Sequence, residues 1–242
     1  MLHSAGFNGL VTYGSNYADP DRPGQMLDIP RLAQEVGFEG MIVGVWDPTR
    51  EDELQAAEQV GGYPVVVGYS VGNEGLDVRY DRETLESAME RLRQATGKPV
   101  STTEEANDYY ENSPLWDLSD WIFPNVHPYF AGRYDPQQAV EWTERIFESL
   151  DSVSDKPLIF KEVGLPSGGD RDLSESRQAQ YYQLLQETNV AYVVFEAFDA
   201  PWKHLGRPGP DGTYWPDPEP HWGIFASDRT PKEAAVNICP VR

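Results

Sequence analysis

Cysteine is nearly missing from this chain. Cys239 is the only one in 242 residues, so no disulfide forms within it and no thiolate metal site can be built. Histidine is sparse as well: His3, His127, His204 and His221 are scattered without ligand spacing, so no metal and no cofactor is expected. No run of about eighteen apolar residues exists, which excludes a membrane-spanning helix and predicts no membrane partner. No basic and then apolar leader opens the stretch Met1 to Gly14; on that segment alone the chain reads as cytoplasmic. Lysine is scarce too. Only five (98, 156, 161, 203 and 232) stand among 19 Lys and Arg, against 40 Asp and Glu, for a net charge of −21. Such a field repels phosphates, so nucleic acid is not an expected partner. A Lys-poor acidic surface suits saline surroundings, where salt screens its self-repulsion; a merely acidic surface accounts for it nearly as well.

What is present is a rhythm of short, apolar, β-branched runs: Leu10–Tyr13, Met41–Trp46, Val65–Val71, Pro99–Thr103, Trp121–Val126, Leu158–Phe160 and Tyr192–Phe195. They are apolar nearly throughout rather than alternating, which predicts strands buried on both faces. Helical patterns lie between them. In Glu83–Gln94 the residues Leu85, Ala88, Met89 and Leu92 form one stripe. Asp135-Pro136 resembles a capped start for Gln137–Leu150, and Ser176–Glu187 and Arg31–Val36 are further helical stretches. Strand and helix alternating over short connections predict a parallel sheet. Seven strands without a polar edge candidate favour a near-closed barrel of TIM type, one domain over residues 1–242. A doubly wound sheet would want a Gly-rich phosphate turn after its first strand, and Tyr13-Gly-Ser-Asn16 is not one. The Pro- and Gly-rich segment His204–Pro220 is expected to be a long loop on the catalytic face.

Barrel enzymes keep their chemistry at the C-terminal ends of the strands. The polar residues there are Tyr13, Asp47, Asn73 with Glu74, Glu104, His127, Glu162, and Glu196 with Asp199. Carboxylates dominate. Hydrolysis of a glycosidic bond needs two of them, one to protonate the leaving oxygen and one to attack the anomeric carbon or activate water. Glu74 ends an apolar strand in Gly-Asn-Glu-Gly, with Asn73 able to bind a sugar 2-hydroxyl and Gly72 and Gly75 leaving room beside the backbone. Glu162 ends another apolar run and is followed by a Gly164–Pro166 turn. Taken singly, Glu162 could equally be half of an inert Lys161–Glu162 pair. As a pair, the two glutamates are the candidates to face each other across the barrel mouth. Sugar rings pack on aromatic faces, for which Tyr13, Tyr129 and Trp202 are best placed and Tyr214, Trp215 and Trp222 less so. Glu104 and Glu196 could orient or tune the catalytic pair. Lys203 and Glu219 could bind hydroxyls or tie down the loop as a salt bridge.

Five motifs follow one another: Val71-Gly-Asn-Glu74, Pro124-Asn-Val-His-Pro-Tyr-Phe130, Lys161-Glu-Val-Gly-Leu-Pro-Ser167, Phe195-Glu-Ala-Phe-Asp-Ala-Pro-Trp-Lys203 and Glu219-Pro-His-Trp-Gly223. Together they resemble glycoside hydrolase family 17, the β-1,3-glucanase family, in particular its microbial members, over about residues 6–225. The resemblance implies a (β/α)8 barrel and a retaining double displacement on laminarin-like β-1,3-glucan, with Glu74 as acid/base and Glu162 as nucleophile. It also implies a sugar cleft lined by Tyr129, Trp202, Lys203 and Glu219, to which the strand-end residues Tyr13, Asn73 and His127 are added as substrate-binding candidates, and a secreted or cell-envelope location. Domains of that family open with one further strand and helix, so the expected fold is an N-terminally truncated barrel with seven strands visible. Two alternatives stay open on the same site: a β-1,3-glucanosyltransferase, and a non-catalytic glucan-binding incomplete barrel.

Overall fold

The computed structural model describes residues 1–19, 21–111, 114–204 and 216–238. Seven strands alternate with helices: β1 (Gly9–Val11), α1 (Ile29–Val36), β2 (Gly40–Val45), α2 (Glu51–Gln59), β3 (Val66–Val71), α3 (Arg82–Thr96) and β4 (Val100–Thr102) come first. After them come α4 (Ala106–Glu111), α5 (Pro114–Leu118), β5 (Asn125–Val126), α6 (Pro136–Asp151), β6 (Phe160–Val163), α7 (Glu175–Leu185), β7 (Tyr192–Val194) and α8 (Glu233–Ile238). All ladders are parallel, in the orders β1-β2-β3-β4 and β5-β6-β7. Strand β6 is buried at every position and β3 at all but Val67, as apolar runs covered on both faces require.

The helices obey local rules. In α3 the stripe Leu85, Ala88, Met89 and Leu92 is buried, and the Asp81 side chain caps the start by accepting from the Thr84 N–H at 2.9 Å. Helix α6 begins at Pro136 under the Asp135 cap, which accepts from Gln138 N–H at 3.1 Å. Helix α2 packs on β2 and α3, and α7 packs between α6 and α8, so the helices cover the outside of the strands.

The near-closed barrel expected from the sequence needs one correction. A parallel bridge, Glu105 with Asn125, joins the end of β4 to β5, but β1 and β7 do not pair among the described residues. Their edges are held apart by a cavity of about 570 Å³ lined from both sides, by Leu10, Met41 and Val67 and by Tyr192, Val194 and Ile224. Val67, on the central strand β3, lines this cavity and is 48% exposed. The apolar core follows the same division, with one cluster under β1–β4 and another under β5–β7. Of the loop expected over His204–Pro220, residues 205–215 lie outside the described residues.

Candidate active site

The turn after β3 is built to hold Glu74. Gly72 lies in the left-handed region, and Glu74 itself does so at φ +49, a conformation that costs a non-glycine residue about 1 kcal/mol. Several bonds hold it there. The Glu74 N–H donates to Thr103 O at 2.9 Å, Arg79 Nη2 donates to Asn73 O, and Glu104 Oε1 accepts from the N–H groups of Gly75 and Leu76 at 3.3 and 3.2 Å. The Tyr80 hydroxyl donates to the same Glu104 oxygen at 3.2 Å. The flanking glycines do not make room for a sugar, as the sequence reading had it. A side chain on Gly72 would strike Tyr80, and one on Gly75 would strike Tyr80 and Arg79. They are glycines because the turn folds back on its own aromatic and arginine.

Glu162 comes from β6 and is buried, whereas Glu74 is exposed. In the ladder between β5 and β6 Asn125 stands directly beside Glu162, and its amide donates to Glu74 Oε1 at 2.7 Å. Lys161 Nζ donates to Asn73 Oδ1 and lies 3.5 Å from Glu162 Oε1. His127 Nε2 lies 3.5 Å from Glu162 Oε2, and Tyr13 stands beside the same carboxylate with its ring 4.9 Å from the Lys161 ammonium. Both glutamates thus belong to one connected cluster. Burial by itself would raise the Glu162 carboxyl, but Lys161, then His127 and Tyr13, outweigh it and hold it at about 2. Glu162 is an anion at neutral pH. The Tyr13 phenol is pushed well above its usual range by burial and then by the negative charge of Glu162 and Glu196.

The other expected site residues divide. Lys203 does not pair with Glu219; it donates to both oxygens of Glu196 at 2.9 and 3.0 Å. Burial raises Glu196, with Lys203 opposing. Glu219 opens a short 3-10 turn packed against the turn that carries Trp202 and Lys203, near enough to Glu196 to repel it. Trp202 is 81% exposed, free to present a face to a sugar. Tyr129 is buried, its hydroxyl donating to Asp170 at 3.0 Å and its ring packed on Phe130, Tyr134 and Trp222. Asp47 serves the turn before α2 through Thr49, and Asp199 is held by Lys232 at 2.6 Å and the Gly223 N–H. Tyr214 and Trp215 lie outside the described residues.

Sequence reasoning passed over Asn125, which binds Glu74; only the register of β5 against β6 reveals it. Phe130, 65% exposed beside His127, was likewise not singled out. Asn125 Oδ1, His127 Nε2, Glu162 Oε1 and Trp222 Nε1 are buried and make no hydrogen bond within the protein. The large seam cavity reaches this cluster from the β1–β7 side: Glu162, Lys161, Tyr13 and Glu196 line it, Glu74 does not, and most of its wall is apolar. Among the described residues no three His, Cys, Asp or Glu side chains could hold a metal ion, and no helix is long and apolar enough to cross a membrane.

Residues 2–223 match the family model described as the BtgE/BtgC glycoside hydrolase domain. The chain is 29% identical to the "probable glucan endo-1,3-beta-glucosidase btgC" of Aspergillus clavatus, covering 66% of this chain and 29% of that protein, and 26% identical to its namesake in Aspergillus fumigatus, covering 78% and 32%. It thus spans about a third of the length of these curated relatives. Among solved structures it superposes on the glycoside hydrolase family 17 β-1,3-glucanosyltransferase of Rhizomucor miehei with a TM-score of 0.75 at 21% identity, covering 97% of this chain and 87% of that one. An active-site mutant of that enzyme in complex with laminaritriose superposes with a TM-score of 0.73 at 21% identity, covering 93% and 84%. At this identity the likeness to these structures is one of fold: parallel strands under a layer of helices.

Proposed function

Because the chain belongs to the BtgE/BtgC glycoside hydrolase domain family, we propose that it cleaves β-1,3-linked glucan by a retaining double displacement of the family 17 type. One observation carries the assignment of roles: Glu162 is buried and held ionised, while Glu74, tied to it through Asn125, Asn73 and Lys161, is exposed. A nucleophile needs the first environment. A group that must both give and take a proton at the leaving-group side needs access to water.

In the first step the Glu162 carboxylate attacks the anomeric carbon while Glu74 protonates the departing glycosidic oxygen. The glucan chain beyond that oxygen leaves, and a glycosyl ester remains on Glu162. In the second step Glu74 takes a proton from an incoming hydroxyl, which displaces Glu162 and restores the β configuration. Asn73, fixed by its oxygen on Lys161, is left with its amide nitrogen to donate to the sugar 2-hydroxyl. His127 supports Glu162, and the exposed faces of Trp202 and Phe130 supply stacking surface for further sugar units. Water as the incoming hydroxyl gives hydrolysis; the hydroxyl of a second glucan gives transfer on the same residues.

The test is digestion of laminarin, with the anomeric configuration of the first products read by NMR and their lengths by mass spectrometry. Glu162→Ala and Glu74→Ala are each expected to lower turnover by on the order of 10³-fold or more. Azide is expected to restore the first, with formation of an α-glucosyl azide. Undiminished turnover in either variant, or an α-configured first product from the unaltered protein, would refute the reading; products longer than the substrate would select transfer.

A further inference from the structure

One charged group in the cluster takes no part in the bond changes just described. Lys161 is 4% exposed, precedes Glu162 in β6, and points into the interior beside the apolar seam cavity. An ammonium in such a place is expensive unless its protons are used. Here the structure names its partners: Asn73 Oδ1 accepts from it, Glu162 Oε1 lies 3.5 Å away, and the Tyr13 ring faces it at 4.9 Å. Asn73 Oδ1 also lies 3.5 Å from the Asn125 amide that holds Glu74.

We propose that Lys161 is a positioning residue for the glycosyl transfer, its buried ammonium fixing the amide of Asn73 in one orientation and standing against Glu162. The inference rests on the roles assigned above to Asn73 and Glu162. Two consequences separate it from a merely structural lysine. With its oxygen engaged by Lys161, Asn73 can offer only its N–H groups to the cleft, so recognition of the sugar 2-hydroxyl as acceptor depends on a residue that never meets the sugar. Glu162, with Lys161 in place, stays ionised far below neutrality, against the desolvation that would protonate it. The other groups facing Glu162 are His127 from the end of β5, Tyr13 from the end of β1 and Glu196 beyond β7, with Glu74 and Glu104 reaching Lys161 from the ends of β3 and β4. Burial works against the Lys161 ammonium while Glu162, Glu74 and Glu104 support it, and among the groups facing Glu162 it is the largest opponent of desolvation, so its removal moves Glu162 most.

The experiment compares the unaltered protein with Lys161→Met and Lys161→Arg. The Glu162 carboxyl is titrated by carbon-13 NMR without substrate, and kcat/KM is followed against pH on an aryl β-glucoside of laminaribiose and its 2-deoxy analogue. In K161M the Glu162 titration and the acidic limb of kcat/KM are expected to rise together by about 1–3 pH units. The discrimination between the two substrates is expected to shrink, and K161R to restore most of the limb. A Glu162 titration and limb unmoved in K161M overturn the inference. So does a shift in which substrate discrimination is unchanged. Should the Met variant fail to fold, Lys161→Gln, which keeps a donor but not the charge, is read by the same titration. Full activity in Glu162→Ala would instead remove the functional reading, while the NMR titration would still decide whether Lys161 holds Glu162 ionised.

Discussion

Glu104 couples the turn that carries Glu74 to pH. Burial pushes its carboxyl up to about 7, although the N–H groups of Gly75 and Leu76 and the Tyr80 hydroxyl oppose the rise. A carboxyl is half-protonated near ~4.3 in an unfolded chain. Between that value and about 7 the folded protein therefore holds a proton that the unfolded chain has released. Its contribution to stability is full below pH ~4 and falls away as pH rises toward 7, by up to about 4 kcal/mol. All three donors reach the same oxygen, Oε1. Glu104→Gln keeps that acceptor and mimics the protonated acid, so it is expected to remove this slope and to be the more stable protein at pH 8. Denaturant titrations of both proteins at pH 5 and pH 8 measure it; equal slopes would show that Glu104 ionises freely.

At the scale of elements the open seam is the feature with consequences. Strands β1 and β7 have three residues each, pair on one side only among the described residues, and face each other across apolar space. Strand β3 is flanked by β2 and β4 and is almost wholly buried. Local opening is easiest where backbone hydrogen bonds are few and burial is thin. The amides of Gly9–Val11 and Tyr192–Val194 are expected to exchange with deuterium faster than those of Tyr69–Val71, which mass spectrometry of peptic fragments resolves. Equal protection would mean that the two edges are closed in solution. The same seam exposes unpaired strand edges, for which charged or covered surroundings are the usual safeguard against association.

At the scale of the molecule the charge decides. With 40 acidic against 19 Lys and Arg side chains, carboxylates outnumber cations about two to one. Arg91 bridges Glu51 and Glu58, joining α3 to α2, yet Glu51 is 61% exposed, and pairs of that kind contribute little. Net repulsion therefore outweighs the ion pairs, and salt, which shortens the screening length from about 10 Å at 0.1 M to about 3 Å at 1 M, relieves it. The melting temperature is expected to rise with added sodium chloride over that range. A protein most stable in low salt would show that the ion pairs dominate instead.

Much of this could be read before folding was considered. Apolar runs located all seven strands, because a strand covered on both faces must be apolar along its length. The stripe and cap of α3, and the Asp135-Pro136 start of α6, are local properties of a few consecutive residues. Helix α2 was not visible, since Glu51–Gln59 is mostly acid and amide around Leu54 and Ala57. Strand β6 was placed too early: its apolar run stops at Phe160, but the ladder continues through Lys161 and Glu162, polar residues that face the interior because each finds a partner there.

Sequence alone determined which side chains end the strands, because period and capping act over neighbours in the chain. Only the tertiary structure decided which of those ends meet. The placing of Asn125 beside Glu162, the burial that makes Lys161 count, and the gap between β1 and β7 depend on register and packing between segments far apart in sequence, where contact is set by three-dimensional fit.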